Sequence, residues 1–240
     1  MELLILLVVG MYVGKFIHNG IYALLNNLPF WRYYGNESGL PIMMELLTAG
    51  AFLIAGSKLP MGPALICSLF FISLLLLHCG TDLQQQLLFD AVTQSIFLVA
   101  IVYNIALALE EAVLEPSIVY RLASRVGPSL YDLLVENFTQ GLLGALVGWG
   151  IMAALYYLSK GGIGTGDVLL APALGLYLGL ELALVGLLAA FCAGGIVAIG
   201  LLLTGADSKK AIAFGPFLCG GSFVALLWGQ ELLNWYYEFF

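Results

Sequence analysis

Charged residues are scarce in this 240-residue chain, and their scarcity decides its class. Only 10% of the residues are Asp, Glu, Lys or Arg, and 62% are hydrophobic, whereas a soluble domain has roughly 25% charged residues. The composition therefore excludes a soluble domain and indicates a polytopic membrane protein. With a formal net charge of −7 and no basic run longer than Lys209-Lys210, the chain also lacks the basic stripe that nucleic-acid binding requires.

Cysteine and histidine are also sparse, which removes several kinds of site. The two histidines, His18 and His78, form no H-E-x-x-H cluster, and no serine lies in an elbow motif, so a metalloprotease and a Ser/His/Asp hydrolase are excluded. The cysteines form no C-x-x-C pair, and we expect them to pack as small apolar side chains rather than bind zinc or form disulfides. They are Cys67, Cys79, Cys192 and Cys219.

Apolar runs predict an all-α fold, a polytopic membrane bundle of about eight transmembrane helices. A membrane helix needs ~20 apolar residues, and fewer where neighbouring helices shield it. We expect one membrane domain, 1–240, with a short cytoplasmic loop at 26–41 and an interfacial loop at 110–137. The first run has no basic segment before it and no cleavage site after it, which favours a retained span. The expected spans are 1–25, 42–57, 62–80, 90–109, 138–158, 167–180, 182–203 and 211–229.

The basic residues favour an N-terminus outside the cytoplasm, because Lys and Arg are in excess on the cytoplasmic side of membrane proteins. The outer loops would then carry Lys58, Arg121 and Arg125. The inner loops would carry four basic residues, one more than the outer loops: Arg32, Lys160, Lys209 and Lys210.

A glycine-rich stretch, Lys160 to Leu170, presents Asp167 at the start of a long apolar segment. An ionisable side chain at the mouth of a membrane span is costly, so it is a functional candidate. The alternative is that Asp167 only caps a helix whose first N–H groups need an acceptor.

A second aspartate, Asp82, is predicted to lie at the same membrane boundary as Asp167. Two spans, 90–109 and 138–158, separate the two residues. An even number of spans returns the chain to the same face, so helix packing can bring the two carboxylates together.

Two close carboxylates in a low-dielectric site repel when both are ionised, so one keeps its proton and the pair offers a base and an acid. The base can take a proton from water while the acid polarises or protonates an amide, as in aspartic proteases. A pair of carboxylates would also fit a different class of protein. In a small ion-coupled membrane transporter, paired carboxylates relay ions, although no matching halves with interrupted helices are visible here.

The segment Gly164-Thr165-Gly166-Asp167 resembles the GxGD signature of intramembrane aspartyl proteases. Its continuation, L-A-P-A-L-G from Leu170 to Gly175 and then Gly179, is similar to the bacterial prepilin peptidase (type IV leader peptidase) family.

Four further segments resemble that family in the same order along the chain. They are the opening G-x-x-x-G from Gly10 to Leu28-Pro29, P-I-M-M-E-L-L-T at 41–48, D-L-Q-Q-Q-L-L-F-D at 82–90 with Thr93, and F-G-P-F-L at 214–218. Together they cover nearly the whole chain.

The resemblance implies that Asp82 and Asp167 are the catalytic pair of an aspartic endopeptidase that removes the short basic leader of type IV prepilin or pseudopilin precursors. It implies a multi-pass protein of the bacterial cytoplasmic membrane, in contact with lipid and not with nucleic acid. Gly164 and Gly166 would let Asp167 and the substrate backbone approach closely.

Glu45 and Asp90 are candidates for supporting roles. Glu45 lies near the start of an apolar span and could position substrate or pair with a polar group; the alternative is that it packs or extends to the interface. Asp90 fits better as the cap of the fourth span than as a catalytic group.

Several departures from the family pattern modify these expectations. Phe89 stands where proline is usual, and Lys15-Phe16-Ile17-His18-Asn19 replaces most of the usual S-F-L-N run. Many members carry two C-x-x-C pairs in the first cytoplasmic loop and use S-adenosylmethionine to methylate the new N-terminus. The loop 26–41 has no cysteine, so zinc is not predicted and methylation is doubtful.

Overall fold

A computed structural model describes residues 2–26, 40–85, 90–114, 130–160, 162–204 and 213–239, and all regular structure within these ranges is helical. The predicted all-α class is therefore confirmed. The helices are α1 Glu2–Leu25, α2 Leu40–Lys58, α3 Pro63–Gln85, α4 Asp90–Leu114, α5 Leu130–Leu158, α6 Thr165–Leu203 and α7 Gly215–Phe239.

The sequence predicts eight spans, and the described ranges contain seven helical elements. The difference arises at α6, which contains both of the predicted spans 167–180 and 182–203 as two helices that meet at Gly179. Six of the seven elements are long and apolar enough to cross a membrane, judged by the length and composition of their described residues. Helices α4 and α5 also extend into the predicted loop 110–137, whose residues 115–129 lie outside the description.

Helix α6 is interrupted where the sequence predicted a break. Gly179 has φ 76° and ψ 174°, a non-helical conformation inside the element. Residues other than glycine rarely adopt this backbone conformation. A straight 39-residue helix would be about 58 Å long, roughly twice the ~30 Å hydrocarbon core of a bilayer. Leu174 and Leu187, which a straight helix would hold ~20 Å apart, instead line the same small cavity with Leu218.

The two halves of α6 therefore run in opposite directions against α7. Ala171 and Leu174 of the first half share a cavity with Leu218 and Ser222. In the second half the order is reversed, because Leu182 lies beside Gly229 and Gly194 lies beside Phe214. The start of α6 and the start of α7 are consequently at the same end of the bundle.

Tyr177 holds the first half of α6 to α3 and α4. Its ring stacks on Phe71 with centroids 3.8 Å apart and on Tyr103 at 4.2 Å. Its hydroxyl donates a hydrogen bond to Ser68 Oγ at 2.9 Å. Asn104 of α4 donates from Nδ2 to the carbonyl oxygen of Leu176 at 3.1 Å, three residues before the break. These polar contacts satisfy groups that lipid would leave without partners.

Glycine sets the closest helix crossings. A Cβ atom at Gly175 would lie 2.7 Å from the backbone nitrogen of Ala145 and closer still to the carbonyl oxygen of Gly144, so α5 and α6 touch backbone to backbone. In the same way Gly10 and Gly14 of α1 face the backbone of α2, with Cβ positions 2.7 Å from Ala49 Cα and 2.6 Å from Glu45 Cα. Small residues at such crossings are typical of membrane helices, which associate through close packing rather than the hydrophobic effect.

The close α5–α6 crossing predicts that one added methyl group at Gly175 lowers the stability of the protein. We expect Gly175→Ala to destabilise the protein by ~1–3 kcal/mol, the usual cost of overpacking, because the new methyl group meets the α5 backbone. Thermal unfolding of the purified protein in detergent measures this change.

Gly150→Ala is the matched control, because nothing lies within 4 Å of a Cβ atom at that position. It should not lower the unfolding temperature, since alanine is the better helix former by ~1 kcal/mol. Equal unfolding temperatures for the two variants would contradict the crossing.

Candidate active site

The two predicted aspartates meet at one end of the bundle. Asp82 lies in the last turn of α3 and Asp167 in the first turn of α6. They are 4% and 5% exposed, so both are buried. Their carboxyl groups are close enough to interact electrostatically. The structure thus places side by side two residues that are 85 positions apart (167 − 82) in the sequence.

Asp167 is held by the glycine that precedes its helix. Gly164 is the N-cap of α6, with an extended backbone (φ −65°, ψ 140°) and no side chain to cap with. Its backbone N–H donates to the Asp167 carboxylate, and its carbonyl oxygen accepts the Asp167 N–H at 3.2 Å. This is the return half of a capping box, in which an acidic residue in the first turn bonds the N-cap N–H. The cap interpretation of Asp167 and the functional one are therefore compatible. Gly166 lies in the first turn of α6, directly before Asp167.

Asp82 is held by the start of α7. The backbone N–H of Gly215, the first residue of that helix, donates to the Asp82 carboxylate. Helix N-terminal N–H groups lack partners within the helix and carry partial positive charge. A Cβ atom at position 215 would lie 2.5 Å from Asp82 Oδ2 and 3.0 Å from Asp82 Cγ. Only glycine lets the α7 terminus approach the carboxylate this closely.

Each carboxylate keeps one oxygen without a partner among the residues that the structure describes. Asp82 Oδ2 and Asp167 Oδ1 are buried and accept no hydrogen bond from those residues. A buried polar atom of this kind is costly unless something else binds it. Each aspartate is thus anchored through one backbone N–H and has capacity left for a water molecule or a peptide group.

His78 and two cysteines surround the pair. His78 is fully buried one turn before Asp82, with Nε2 3.5 Å from Thr93 Oγ1 of α4 and Nδ1 without a partner. Cys219 lies one turn into α7, within electrostatic reach of both aspartates and of Cys79. The sequence marked these cysteines only as packing residues.

The remaining predicted site residues lie elsewhere. Glu45 of α2 faces α1, where its Oε1 is 3.9 Å from Lys15 Nζ. This is a loose ion pair, and the structure gives Glu45 a partner other than the aspartates. Asp90 is exposed at the first position of α4, which agrees with its interpretation as a helix-start residue.

No cluster of three or more His, Cys, Asp or Glu side chains with metal-binding geometry occurs among the residues described. Most of the loop 26–41 lies outside that description, so the expectation that zinc is not needed stays a prediction.

Comparison with known proteins shows the family of the chain. The family model described as the type IV leader peptidase family matches residues 69–199, more than half of the chain. The chain belongs to the type IV leader peptidase family. The matched region runs from α3 into the second half of α6 and contains both Asp82 and Asp167. The resemblance expected from the sequence motifs is confirmed.

Relatives in this family are similar over different shares of their length. A prepilin leader peptidase/N-methyltransferase of Aeromonas salmonicida (strain A449) is 36% identical over 118 residues, covering 46% of this chain and 40% of that protein. Proteins with the same name from Bacillus subtilis (strain 168) and Legionella pneumophila are 24% and 29% identical over 80% of this chain, covering 67% and 60% of their own length. No solved structure matches the chain.

The α7 terminus is the part of the site that sequence reasoning missed. The motif F-G-P-F-L was noted as a family resemblance, yet Gly215 was not named as a site residue. The signal available was a glycine before a helix-starting proline, but only packing shows that its N–H reaches Asp82.

Gly215→Ala tests this contact. We expect it to displace the Asp82 carboxylate and, under the function proposed below, to reduce leader cleavage by about 10²-fold, because misplacing a reacting group by ~1 Å can cost that much. Initial rates with membranes containing equal amounts of each variant measure the loss.

Gly195→Ala, on the exposed second half of α6 with nothing within 4 Å of its Cβ position, is the control and should cleave normally. Wild-type rates for Gly215→Ala would show that the α7 terminus does not position Asp82.

Proposed function

We propose that this chain is an integral membrane aspartyl endopeptidase that removes the short basic leader from type IV prepilin or pseudopilin precursors. The observation that carries the proposal is the buried pair of carboxylates, Asp82 and Asp167, each with one oxygen that accepts no hydrogen bond from the described part of the chain. The pair lies within the region that matches the leader peptidase family. The names of the relatives supply the substrate class.

The geometry supports hydrolysis by a shared water. One carboxylate is ionised and accepts a proton from the water, whose oxygen attacks the carbonyl carbon of the scissile amide. The other carboxyl group donates its proton toward the amide, the C–N bond breaks, and the products are a leader carboxylate and a free N-terminal amine. Which aspartate takes which role is left open. The two backbone N–H groups, from Gly164 and Gly215, hold the carboxylates in place.

The proposed location is the bacterial cytoplasmic membrane, with the carboxylates at its cytoplasmic boundary. Six helices are apolar and long enough to span a membrane, and the distribution of basic residues favours this orientation. A leader rich in basic residues would stay on the cytoplasmic side for the same reason. The transporter alternative loses support, because the chain belongs to a peptidase family.

The names of the relatives also include N-methyltransferase, which would require S-adenosylmethionine. The described residues beside the carboxylates do not fit this group well. The adjoining cavity is lined by Leu, Ile, Ala, Cys, Pro and Phe side chains and by glycines. It offers no charged or amide side chain for the amino acid portion of the cofactor, so no step is routed through it.

Exchange of either carboxylate tests the proposal. Asp82→Asn and Asp167→Asn each keep the shape of the side chain but remove the base or the acid. We expect each to lower leader cleavage by at least ~10³-fold, within the range of general acid–base catalysis. Co-expression with a prepilin-like precursor, followed by the mobility shift on leader removal, measures the effect.

Glu181→Gln is the control, because Glu181 is an exposed acid just after the Gly179 break and lies fourteen residues beyond Asp167 (181 − 167). It should leave cleavage unchanged. Near-normal cleavage by either aspartate variant, at equal membrane levels, would rule out the pair as the catalytic centre.

The methylation question has a separate readout. We expect the mature product released by this protein to carry an unmodified N-terminal amine, because the described lining of the cavity beside the carboxylates is apolar and does not suit the methyl donor. Mass spectrometry of the product's N-terminal peptide decides, and an added methyl group that depends on this protein would contradict the expectation.

A further inference from the structure

An apolar groove lies between α2, α3 and α7. Its volume is about 370 Å³. The residues that line it are Leu46, Leu47, Gly50, Ala51 and Ile54 of α2, Ile72, Leu75, Leu76 and Cys79 of α3, and Pro216, Cys219, Gly220 and Phe223 of α7. No mechanism described above uses this space.

One end of the groove adjoins the carboxylate pair. On α3, the lining residue Cys79 is one helical turn from Asp82. On α7, the lining residue Pro216 follows Gly215, whose N–H binds Asp82. Cys219, which also lines the groove, lies within electrostatic reach of both aspartates. A segment bound in the groove would therefore have one end close to the carboxylates of Asp82 and Asp167.

The walls of the groove are open at two glycines. A Cβ atom at Gly50 or at Gly220 would have no neighbour within 4 Å. This differs from the crossings at Gly175 and Gly221, where another helix fills the space. Glycine in a membrane helix usually marks the close approach of another helix. Here two glycines face a space that no described helix occupies.

The dimensions suit one face of a helix. On α3 the lining runs from Ile72 to Cys79, and on α7 from Pro216 to Phe223. Each covers seven residue steps, or ~10 Å at 1.5 Å per residue, which is about two turns. In hydrocarbon a polypeptide must satisfy its own backbone hydrogen bonds, so an intruding segment there is helical.

We propose that this groove seats the part of the precursor that follows the bond that is cut, as an apolar helix of about two turns. The proposal rests on the proposed function and adds the surface by which the precursor is recognised. The apolar lining matches an apolar helix, the two glycines admit its side chains, and the end of the groove delivers the preceding peptide bond to Asp82 and Asp167. Recognition of the helix and cleavage of the leader thus occur on adjoining parts of α3 and α7.

Filling the groove tests the proposal. Gly50→Leu and Gly220→Leu each begin a side chain at a Cβ position with no described neighbour within 4 Å, so we expect both variants to fold. We expect each to lower kcat/KM for the full-length precursor by about tenfold, mainly through KM, the scale of a lost apolar contact of ~1.4 kcal/mol. Gly200→Leu is the matched control, since it is exposed on α6 and also has no neighbour within 4 Å.

Crosslinking tests binding without cleavage. A precursor with a photoreactive residue in the first two turns of its apolar segment is mixed with the Asp167→Asn protein, and the attached peptides are mapped by mass spectrometry. We expect attachment to groove residues of α2, α3 or α7, and loss of that attachment when Gly220→Leu is added.

The outcomes separate the two claims. If wild-type protein fails to cleave the precursor, the proposed function is wrong. If wild-type protein cleaves while both leucine variants match Gly200→Leu, or if the crosslinks lie on other helices, the precursor does not occupy the groove and the proposed seat is wrong.

Discussion

The structure depends on the burial of two carboxylates beside each other at the end of an apolar bundle. Such a pair is costly, because desolvation and mutual repulsion both disfavour the doubly ionised state. The protein offsets part of this cost with two backbone N–H groups, one from Gly164 at the start of α6 and one from Gly215 at the start of α7. Both donors come from helix N-termini, whose partial positive charge suits a carboxylate.

This arrangement requires the starts of α6 and α7 and the last turn of α3 to lie at one end of the molecule. The break at Gly179 makes that possible, because it turns the second half of α6 back toward the end at which the helix began. The close α5–α6 crossing at Gly144 and Gly175 and the stacked ring of Tyr177 fix the position of the first half. Glycine therefore serves two purposes here, a chain reversal and a backbone contact.

The sequence alone predicted much of this. Apolar runs predicted the helical class, and counting spans between Asp82 and Asp167 predicted that both lie on one face. The count of eight differs from the seven described elements because the sequence does not show that the two predicted spans on either side of Gly179 join in one interrupted element, α6. The contact of Gly215 with Asp82, the electrostatic link of Cys219 to both aspartates and the groove beside them depend on packing between helices distant in sequence. No local pattern encodes these contacts.

The central claim is that the two carboxylates act as one unit on one bond. The most direct measurement compares the residual cleavage rates of Asp82→Asn, Asp167→Asn and the double variant in long incubations at equal protein levels. Groups that act as a unit give strongly non-additive losses, so the double variant should be no slower than the slower single variant. A loss in the double variant equal to the product of the two single losses would show that the aspartates act independently, and would contradict the account.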